Sequence, residues 1–305
     1  MAMAKRVFLF LATNLAIVVV LSLVINILTA AGYIRPWGSR DLTSLFIFCL
    51  IWGMGGSFLS LQMSRFIAKR SMGVQLIDGR TGQPALDDLY ATVAHLARAA
   101  NLPMPEVGVY ESPEVNAFAT GPSKRRSLVA VSTGLLRRMR RNEVEGVLGH
   151  EIAHIANGDM VTMTLIQGVL NAFVMFFARI AASVISSALA GNRRDDDEAP
   201  AGSPMVYMLV VFVMEIVLGV LASLITAWFS RQREFRADAG SARLVGAGSM
   251  VAALRSLAGM QELVDSSQPA LASFKISGRP GFLQLFSTHP PIAQRIAALE
   301  RASYS

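Results

Sequence analysis

Two histidines and a glutamate near the middle of the chain have the spacing of a zinc site, in the segment His150-Glu151-Ile152-Ala153-His154. Four residues advance an α-helix by about 400°, so His150 and His154 lie on one face and can both bind one Zn²⁺. Glu151 lies about 100° around the helix, where its carboxylate can take a proton from a zinc-bound water without binding the metal. Because Zn²⁺ lowers the pKa of that water towards about 7 and polarises a carbonyl, the pattern indicates metal-assisted hydrolysis. The alternative is a chance spacing on a surface helix.

A carboxylate from a second helix is the expected third ligand, because two histidines leave a catalytic zinc one protein ligand short. Glu234 and Asp238 follow an apolar run and are four residues apart, so they share a helical face. We assign Glu234 to the metal, with one Zn²⁺ per chain, and Asp238 to a hydrogen bond with a ligand imidazole. The alternative is an ordinary surface helix whose charges pair with one another.

His289 is a candidate for a second catalytic role. It precedes Pro290 and Pro291, at the predicted start of a helix. From that position it can reach the site and donate a hydrogen bond to a developing oxyanion. The alternative is a surface histidine that only caps the helix.

The spacing of apolar residues in the polar segments predicts the helices and strands that position these residues. Apolar residues at helical spacing predict a strong helix over residues 142–158, which carries the histidine pair. We predict that Asn142 caps this helix, with Glu145 as its capping-box partner. Short strands are predicted at residues 107–110, 115–119 and 128–132, with Gly121-Pro122 as a turn. These elements predict an α+β domain with a small sheet.

The composition is that of a membrane protein. Of the 305 residues, 53% are hydrophobic and only 16% are charged, whereas soluble domains carry about 25% charged residues. Intrinsic disorder is excluded for most of the chain by the apolar content, and an internal disulfide is excluded because Cys49 is the only cysteine. Runs with at most one charge, each near or above the ~20 residues that span a bilayer, cover residues 7–34, 42–64, 160–191 and 204–230.

We expect these four runs to be membrane spans. Arg179 and Glu215 interrupt the last two runs, and an ionisable residue at bilayer depth should face protein or water. The alternative is two spans, with the later runs as buried core helices of a soluble domain. The predicted organisation is a transmembrane hairpin at 1–64, the first half of a catalytic domain at 65–159, a second apolar pair at 160–230 with a charged loop at 192–203, and the second half of the catalytic domain at 231–305.

The basic residues indicate how the chain is oriented. Basic clusters flank the outer ends of the first hairpin, so both ends are expected in the cytoplasm. The net charge of +7 indicates anionic lipid rather than nucleic acid, because no motif combines aromatic and basic residues as nucleic-acid binders do. Basic groups at residues 124–126 and 137–141 are expected on a solvated face near anionic headgroups.

Taken together, these motifs resemble those of the HtpX family of membrane-bound zinc metalloproteases, to which CAAX prenyl proteases are distantly related. The resemblance covers nearly the whole chain and rests on the paired apolar runs and on four motifs: Asn116-Ala117-Phe118-Ala119, His150-Glu151-x-x-His154, Glu234-x-x-x-Asp238 and Ser287-Thr288-His289-Pro290.

The resemblance implies an α-rich, multi-pass protein of the bacterial inner membrane with a cytoplasmic gluzincin-like domain. It implies a zinc endopeptidase that degrades misfolded or damaged membrane proteins. It supports Glu234 as third ligand and His289 as a transition-state residue. It also implies that residues 116–119 form an edge strand that pairs with an extended substrate backbone.

Two other functions remain open at this point. A prenyl-protein protease would need a lipid-binding chamber, for which four spans are few. A non-catalytic membrane scaffold or transporter would use Glu215 as its functional group. The sequence does not fix the oligomeric state, and a homo-oligomer is one arrangement that it allows.

Overall fold

A computed structural model describes residues 42–189, 204–267 and 287–303, together with Leu23, Ile27 and Ala30, which are helical. Most of the first predicted span, residues 7–34, and the predicted charged loop at 192–203 therefore lie outside the described residues. In chain order the elements are α1 (Leu42–Met72), β1 (Gln75–Ile77), α2 (Pro84–Ala99), β2 (Glu106–Tyr110), β3 (Ala117–Ser123), β4 (Arg126–Ser132), α3 (Thr133–Arg138), α4 (Arg141–Asn157), α5 (Asp159–Leu189), α6 (Pro204–Val245), α7 (Ala247–Ser267) and α8 (Ile292–Ser303).

Three helices within the described part of the chain, α1, α5 and α6, are long and apolar enough to cross a membrane. The apolar side chains of α6 are largely exposed, with Met205 at 79% and Met208 at 70%. A buried core helix of a soluble domain would not leave such side chains uncovered, whereas a lipid-facing helix does. The predicted fold class, an α-rich membrane protein with a small sheet, is confirmed.

The described residues form two compact units. The sheet unit contains Leu61–Met163 and the residues from Ala227 onwards, and the apolar-helix unit contains residues up to Ser60 and Thr164–Thr226. Helices α1, α5 and α6 contribute residues to both units.

Small residues and one ion pair hold the apolar-helix unit together. A Cβ at Gly53 of α1 would lie 2.5 Å from the backbone nitrogen of Ala172 in α5, so only glycine permits this close approach of two helices. Arg179 of α5 donates a 2.9 Å hydrogen bond to Glu215 of α6. This ion pair agrees with the expectation that the two charges face protein or water.

The sheet unit is built on a four-stranded sheet with strand order β1-β2-β4-β3. Strands β2 and β4 are parallel, and the pairs β1/β2 and β3/β4 are antiparallel. Strand β3 is therefore an edge strand. One face packs against α2 and α4 through a cluster of buried apolar side chains: Leu89, Val93, Leu96, Val107, Val129, Val131, Leu148, Ile152 and Ile155. The other face packs Tyr110, Leu128 and Ala130 against Ala68 and Met72 of α1.

The predicted turn at Gly121-Pro122 is wrong. Strand β3 continues through both residues to Ser123, and its pairing with β4 shifts register between Thr120 and Ser123. An edge strand tolerates a proline and an irregularity of this kind, because one side of its backbone needs no partner strand. Gly121 has φ 142°, in the region that favours glycine.

The predicted cap of the histidine-bearing helix is also wrong. Helix α4 begins at Arg141, and the backbone N–H of Arg140 donates a 2.8 Å hydrogen bond to Glu143. The reciprocal acid therefore lies two residues earlier than predicted, because Arg140 is extended and Glu143 is three residues beyond it. The helix is capped by Gly158, whose φ of 70° is the left-handed conformation that glycine adopts easily.

Candidate metal centre

Three buried side chains from two helices converge in the sheet unit. His150 and His154 come from consecutive turns of α4, and their Nε2 atoms lie 3.0 Å apart. Glu234 comes from α6, with Oε2 3.4 Å from Nε2 of His150 and Oε1 3.4 Å from Nε2 of His154. Among the described residues, this is the one group of at least three metal-binding side chains whose ligand atoms lie within 4.8 Å of one another. The predicted third ligand thus lies beside the histidine pair.

The spacing of these atoms fits zinc. Tetrahedral Zn²⁺ with bonds of ~2.0–2.1 Å holds its ligand atoms about 3.3 Å apart. The two Nε2 atoms are 3.0 Å apart, and each lies 3.4 Å from one of the two oxygens of Glu234. Both carboxylate oxygens of Glu234 are buried, and they face nitrogen atoms, His289 Nδ1 at 2.9 Å and the two Nε2 atoms at 3.4 Å. A buried carboxylate requires a positively charged or hydrogen-donating partner, and a cation held between these atoms would be such a partner.

The outer nitrogen of His150 faces a second carboxylate. Its Nδ1 lies 2.9 Å from Oδ1 of Asp238, the contact that the sequence predicted for this aspartate. Asp238 is held in turn by Arg295 of α8, whose Nε donates a 2.7 Å hydrogen bond to Oδ2 and whose Nη2 donates to Oδ1. Asp238 and Arg295 are both buried. The imidazole is therefore held with Nε2 towards Glu234.

The outer nitrogen of His154 faces a different carboxylate. Its Nδ1 lies 2.6 Å from Oδ2 of Asp159, the first residue of α5. Gly158 ends α4 in the left-handed conformation, and the chain turns there so that Asp159 returns to the ring of His154. Each candidate ligand histidine thus uses Nδ1 for a carboxylate and leaves Nε2 for a metal.

These carboxylates make the centre a site for positive charge. Burial lowers the pKa of His154, but hydrogen bonds with Asp159 and Glu234 outweigh it and raise the pKa to about 9. Burial likewise lowers the pKa of His150, and its hydrogen bonds with Asp238 and Glu234 raise it overall. In the metal-free protein the imidazole of His154 therefore holds a proton below about pH 9 that a metal ion must displace.

Glu151 and His289 lie at the same centre in different environments. Glu151 is partly buried, and its carboxylate makes no hydrogen bond or ion pair with the described residues. His289 has a side chain 61% exposed, and its Nδ1 lies 2.9 Å from Oε2 of Glu234. The segment before it is tied to α6, because Arg231 donates a 2.9 Å hydrogen bond to the carbonyl oxygen of Ser287. The structure thus brings His289 to the candidate metal ligands.

The predicted substrate segment, residues 116–119, enters the edge strand. The backbone N–H of Ser132 donates a 2.9 Å hydrogen bond to the carbonyl of Asn116. Hydrogen-bonded pairs alternate along an antiparallel ladder, so Phe118 bonds with its partner Ala130, and the N–H and C=O groups of Ala117 and Ala119 point to the free edge. Both alanine side chains pack on the cluster that contains Leu148 and Ile152 of α4.

Sequence reasoning missed two residues of the centre, Asp159 and Arg295. A signal existed for Arg295, since it falls among the residues that form the apolar face of α8: Ile292, Ile296 and Leu299. A charged residue on such a face indicates a buried partner. Asp159 gave no distinctive signal, because an acidic residue in a first helical turn already has an explanation in the helix dipole.

Comparisons with known proteins decide the family. A model described as peptidase family M48 matches residues 86–303. The chain belongs to this family. The M48 peptidase is 53% identical to Protease HtpX of Aeromonas hydrophila over 299 residues, which cover 97% of this chain and 99% of that protein. It is 53% identical to Protease HtpX of Idiomarina loihiensis and 48% identical to a Protease HtpX homolog of Methylacidiphilum infernorum, with 97–98% of this chain and 99% of each relative covered.

Among solved structures, the crystal structure of S. mikatae Ste24p shares the fold, with a TM-score of 0.63 and 17% identity. The match covers 97% of this chain and 64% of that one. This M48 peptidase is a membrane-bound metalloprotease, as predicted, and its resemblance to the HtpX family is confirmed. The scaffold or transporter alternative is not supported, and the prenyl-protease alternative is less supported than an HtpX-type protease.

Proposed function

We propose that this M48 peptidase is a zinc endopeptidase of the bacterial inner membrane that degrades misfolded or damaged membrane proteins on the cytoplasmic side. The observation that carries this proposal is the convergence of His150, His154 and Glu234, at separations of 3.0–3.4 Å. These three side chains would hold the metal. The name of the relatives, Protease HtpX, supports proteolysis, and the apolar helices favour membrane proteins as substrates.

The reaction needs Lewis acidity, an oriented pair of imidazoles and a base. Zn²⁺, when bound, acidifies water and polarises the scissile carbonyl. Asp238 and Asp159 hold the Nδ1 protons of His150 and His154, which fixes the tautomer that leaves each Nε2 free to bind the metal.

Glu151 is the general base and then the general acid. Its carboxylate has no competing partner among the described residues, so it is available to a water molecule. It takes one proton as the water oxygen bonds to the carbonyl carbon, and it delivers that proton to the amine nitrogen as the C–N bond breaks.

His289 is proposed to donate a hydrogen bond to the carbonyl oxygen as negative charge develops there. Its partly exposed ring beside Glu234 leaves room for a substrate. The His289→Ala variant is expected to lose about 10²–10³-fold in kcat while keeping its metal. An unchanged kcat would leave His289 with only its role at the start of α8.

The free edge of β3 is proposed to bind the substrate backbone. The outward N–H and C=O groups of Ala117 and Ala119 can pair with any extended polypeptide, because main-chain hydrogen bonds require little of the side chains. Low sequence selectivity suits a protease that removes damaged proteins of many kinds. The edge also packs next to α4, which carries Glu151.

The division of the chain and its orientation are also proposals. Residues 1–64 and 160–230 would anchor the protein, and residues 65–159 and 231–305 would form the catalytic part. Basic residues at the end of α1, Lys69 and Arg70, favour a cytoplasmic location of that end. In spheroplasts, the Arg137→Cys/Cys49→Ser variant should resist a membrane-impermeant maleimide until the cells are lysed. Labelling of intact spheroplasts would contradict the proposed orientation.

Removal and return of the metal test the proposed activity. Purified full-length protein in detergent is expected to cleave unfolded β-casein, to stop after dialysis against 1,10-phenanthroline, and to recover with Zn²⁺ but not Mg²⁺. In membranes, a destabilised variant of a membrane protein should be cleaved faster than its stable parent. Cleavage that survives complete removal of metal would refute the zinc assignment, and equal cleavage of both membrane proteins would refute the role in removing damaged proteins.

A further inference from the structure

The β3–β4 hairpin ends in three consecutive exposed cations, Lys124, Arg125 and Arg126. The hairpin is closed by the pairing of Ser123 with Arg126, so Lys124 and Arg125 form its tip. The turn is also fixed by two hydrogen bonds, from Arg126 N–H to Ser123 Oγ and from Ser127 Oγ to the Lys124 carbonyl, both 3.2 Å. Within the described residues, none of the three cations pairs with a carboxylate. A rigid turn thus presents three uncompensated charges.

Contacts with α1 show which way this tip points. Nη2 of Arg126 donates a 3.2 Å hydrogen bond to Gln62 of α1. Leu128, two residues after Arg126 in β4, pairs with Glu106 of β2. Glu106 forms ion pairs with Arg65 at 3.3 Å and Lys69 at 3.1 Å. Within the sheet unit, the hairpin tip therefore lies beside Gln62, whereas Glu106 and its partner Leu128 lie beside Arg65 and Lys69, further along α1.

Gln62 lies in the last turn of the uncharged run of α1, which ends at Ser64. An apolar run that crosses a bilayer ends at the headgroups. The hairpin tip therefore lies at the depth of the lipid headgroups.

We propose that Lys124, Arg125 and Arg126 bind anionic phospholipid headgroups on the side of the membrane where α1 ends. Cations near an anionic membrane surface are attracted to it, and the attraction is lost beyond a Debye length. The contact between Arg126 and Gln62 holds the cations within that distance. A consequence that rests on the proposed function follows: since β3 leads from this tip, bound lipid holds the substrate-binding edge beside the membrane.

The chain contains a matched control for this surface. Arg137 and Arg138 lie in α3, which follows the other end of β4. Strand β4 runs from Arg126 to Ser132, so at ~3.3 Å per residue the two basic groups are separated by about 20 Å. The two groups predicted on one basic face are therefore distinct, and within the described part of the chain it is the hairpin group that forms a hydrogen bond with the last turn of the apolar run.

Hydrogen–deuterium exchange of the full-length protein in lipid nanodiscs tests the proposal. Backbone amides of residues 123–127 are expected to exchange at least about threefold more slowly in phosphatidylcholine with 30% phosphatidylglycerol than in phosphatidylcholine alone. The difference should vanish in 0.5 M NaCl, where the Debye length falls to about 4 Å. The Lys124→Gln/Arg125→Gln variant should lose the difference, and the Arg137→Gln/Arg138→Gln variant should keep it. Arg126 is left intact because it contacts Gln62.

Several outcomes would overturn the lipid site: equal exchange in the two lipids, a difference that persists in high salt, or equal loss in both double variants. Binding of polypeptide instead of lipid is tested with unfolded casein in the Glu151→Gln background. Slower exchange that requires casein and not phosphatidylglycerol would assign the hairpin to polypeptide and contradict the proposal. Because exchange does not depend on proteolysis, failure of the proposed enzymatic mechanism would leave this result unaffected.

Discussion

Arg295 forms two hydrogen bonds with Asp238, and Asp238 in turn lies 2.9 Å from Nδ1 of His150. The three residues come from three helices, α8, α6 and α4, and all three are buried. The guanidinium compensates the charge of Asp238 and fixes the oxygen that faces the imidazole. The geometry of a candidate metal ligand therefore depends on a residue at the far end of the chain.

Arg295→Ala is expected to destabilise the sheet unit by about 3–5 kcal/mol, because it leaves the buried carboxylate of Asp238 without its partner. The matched control is Arg255→Ala, which removes an exposed ion pair with Glu300 and should cost less than about 1 kcal/mol. Thermal unfolding in detergent compares the two variants. Arg295→Lys should restore only part of the loss, because an ammonium cannot reproduce the two-point contact. Equal stability of the two alanine variants would show that Arg295 does not hold Asp238.

Asp159→Ala is expected to weaken zinc binding by about 10–100-fold, because the outer nitrogen of His154 loses its carboxylate. Competition with a chromogenic chelator measures the affinity on purified protein. Asp88→Ala, which removes an exposed ion pair with Arg141, is the matched control and should bind zinc as the parent does. An unchanged affinity in the Asp159 variant would show that this carboxylate does not support the metal ligand.

The raised pKa of His154 predicts the pH dependence of the metal-free protein. The folded-state pKa is about 9, above the ordinary value of 6.5. The bound proton therefore contributes stability that is fully present below pH 6.5 and is lost as the pH rises through about 9. The difference in Tm between the metal-free parent and its His154→Gln variant should shrink over this interval.

Zinc binding at neutral pH should also release protons, because the ligand imidazoles must be neutral. A pH indicator in weak buffer measures this release when Zn²⁺ is added. A pH-independent difference in Tm, together with zinc binding that releases no protons, would contradict the assigned protonation of His154.

The sequence predicted those parts of the centre that depend on local spacing. His150 and His154 could be paired because four residues on a helix fix their relation, and the same holds for Glu234 and Asp238. Arg295 could not be paired with Asp238 in this way, since 57 residues and a separate helix lie between them. Only the packing of α8 against its neighbours brings the two together.

The elements were predicted in kind more reliably than in their bounds. The sheet was expected, but Gly121-Pro122 looked like a turn because an edge strand that accepts proline cannot be recognised before its neighbours are known. The true turn, Lys124-Arg125, contains no glycine or proline. The predicted cap failed because Glu143 and Glu145 both offer a carboxylate near the helix start, and the backbone of Arg140 selects the first.

Ala119→Pro is expected to lower kcat/KM on unfolded casein about two- to tenfold, because it removes one outward hydrogen bond of about 0.5–1.5 kcal/mol from the β3 edge. The pairing with β4 should survive, since the N–H of residue 119 does not point towards that strand. Ala119→Ser keeps the N–H and is the control. If both variants cleave casein at the parental rate, the substrate does not pair with this edge.

The central claim is that His150, His154 and Glu234 hold the metal while Glu151 moves the proton. It is tested most directly by measuring zinc content and casein cleavage on one preparation of Glu151→Ala. The expected result is about one Zn²⁺ per chain, as in the parent, with cleavage abolished. Glu234→Ala should lose both the metal and the activity. Zinc-loaded Glu151→Ala that still cleaves casein at the parental rate would contradict the role of Glu151 as base, and loss of its zinc would contradict its exclusion from the ligand set.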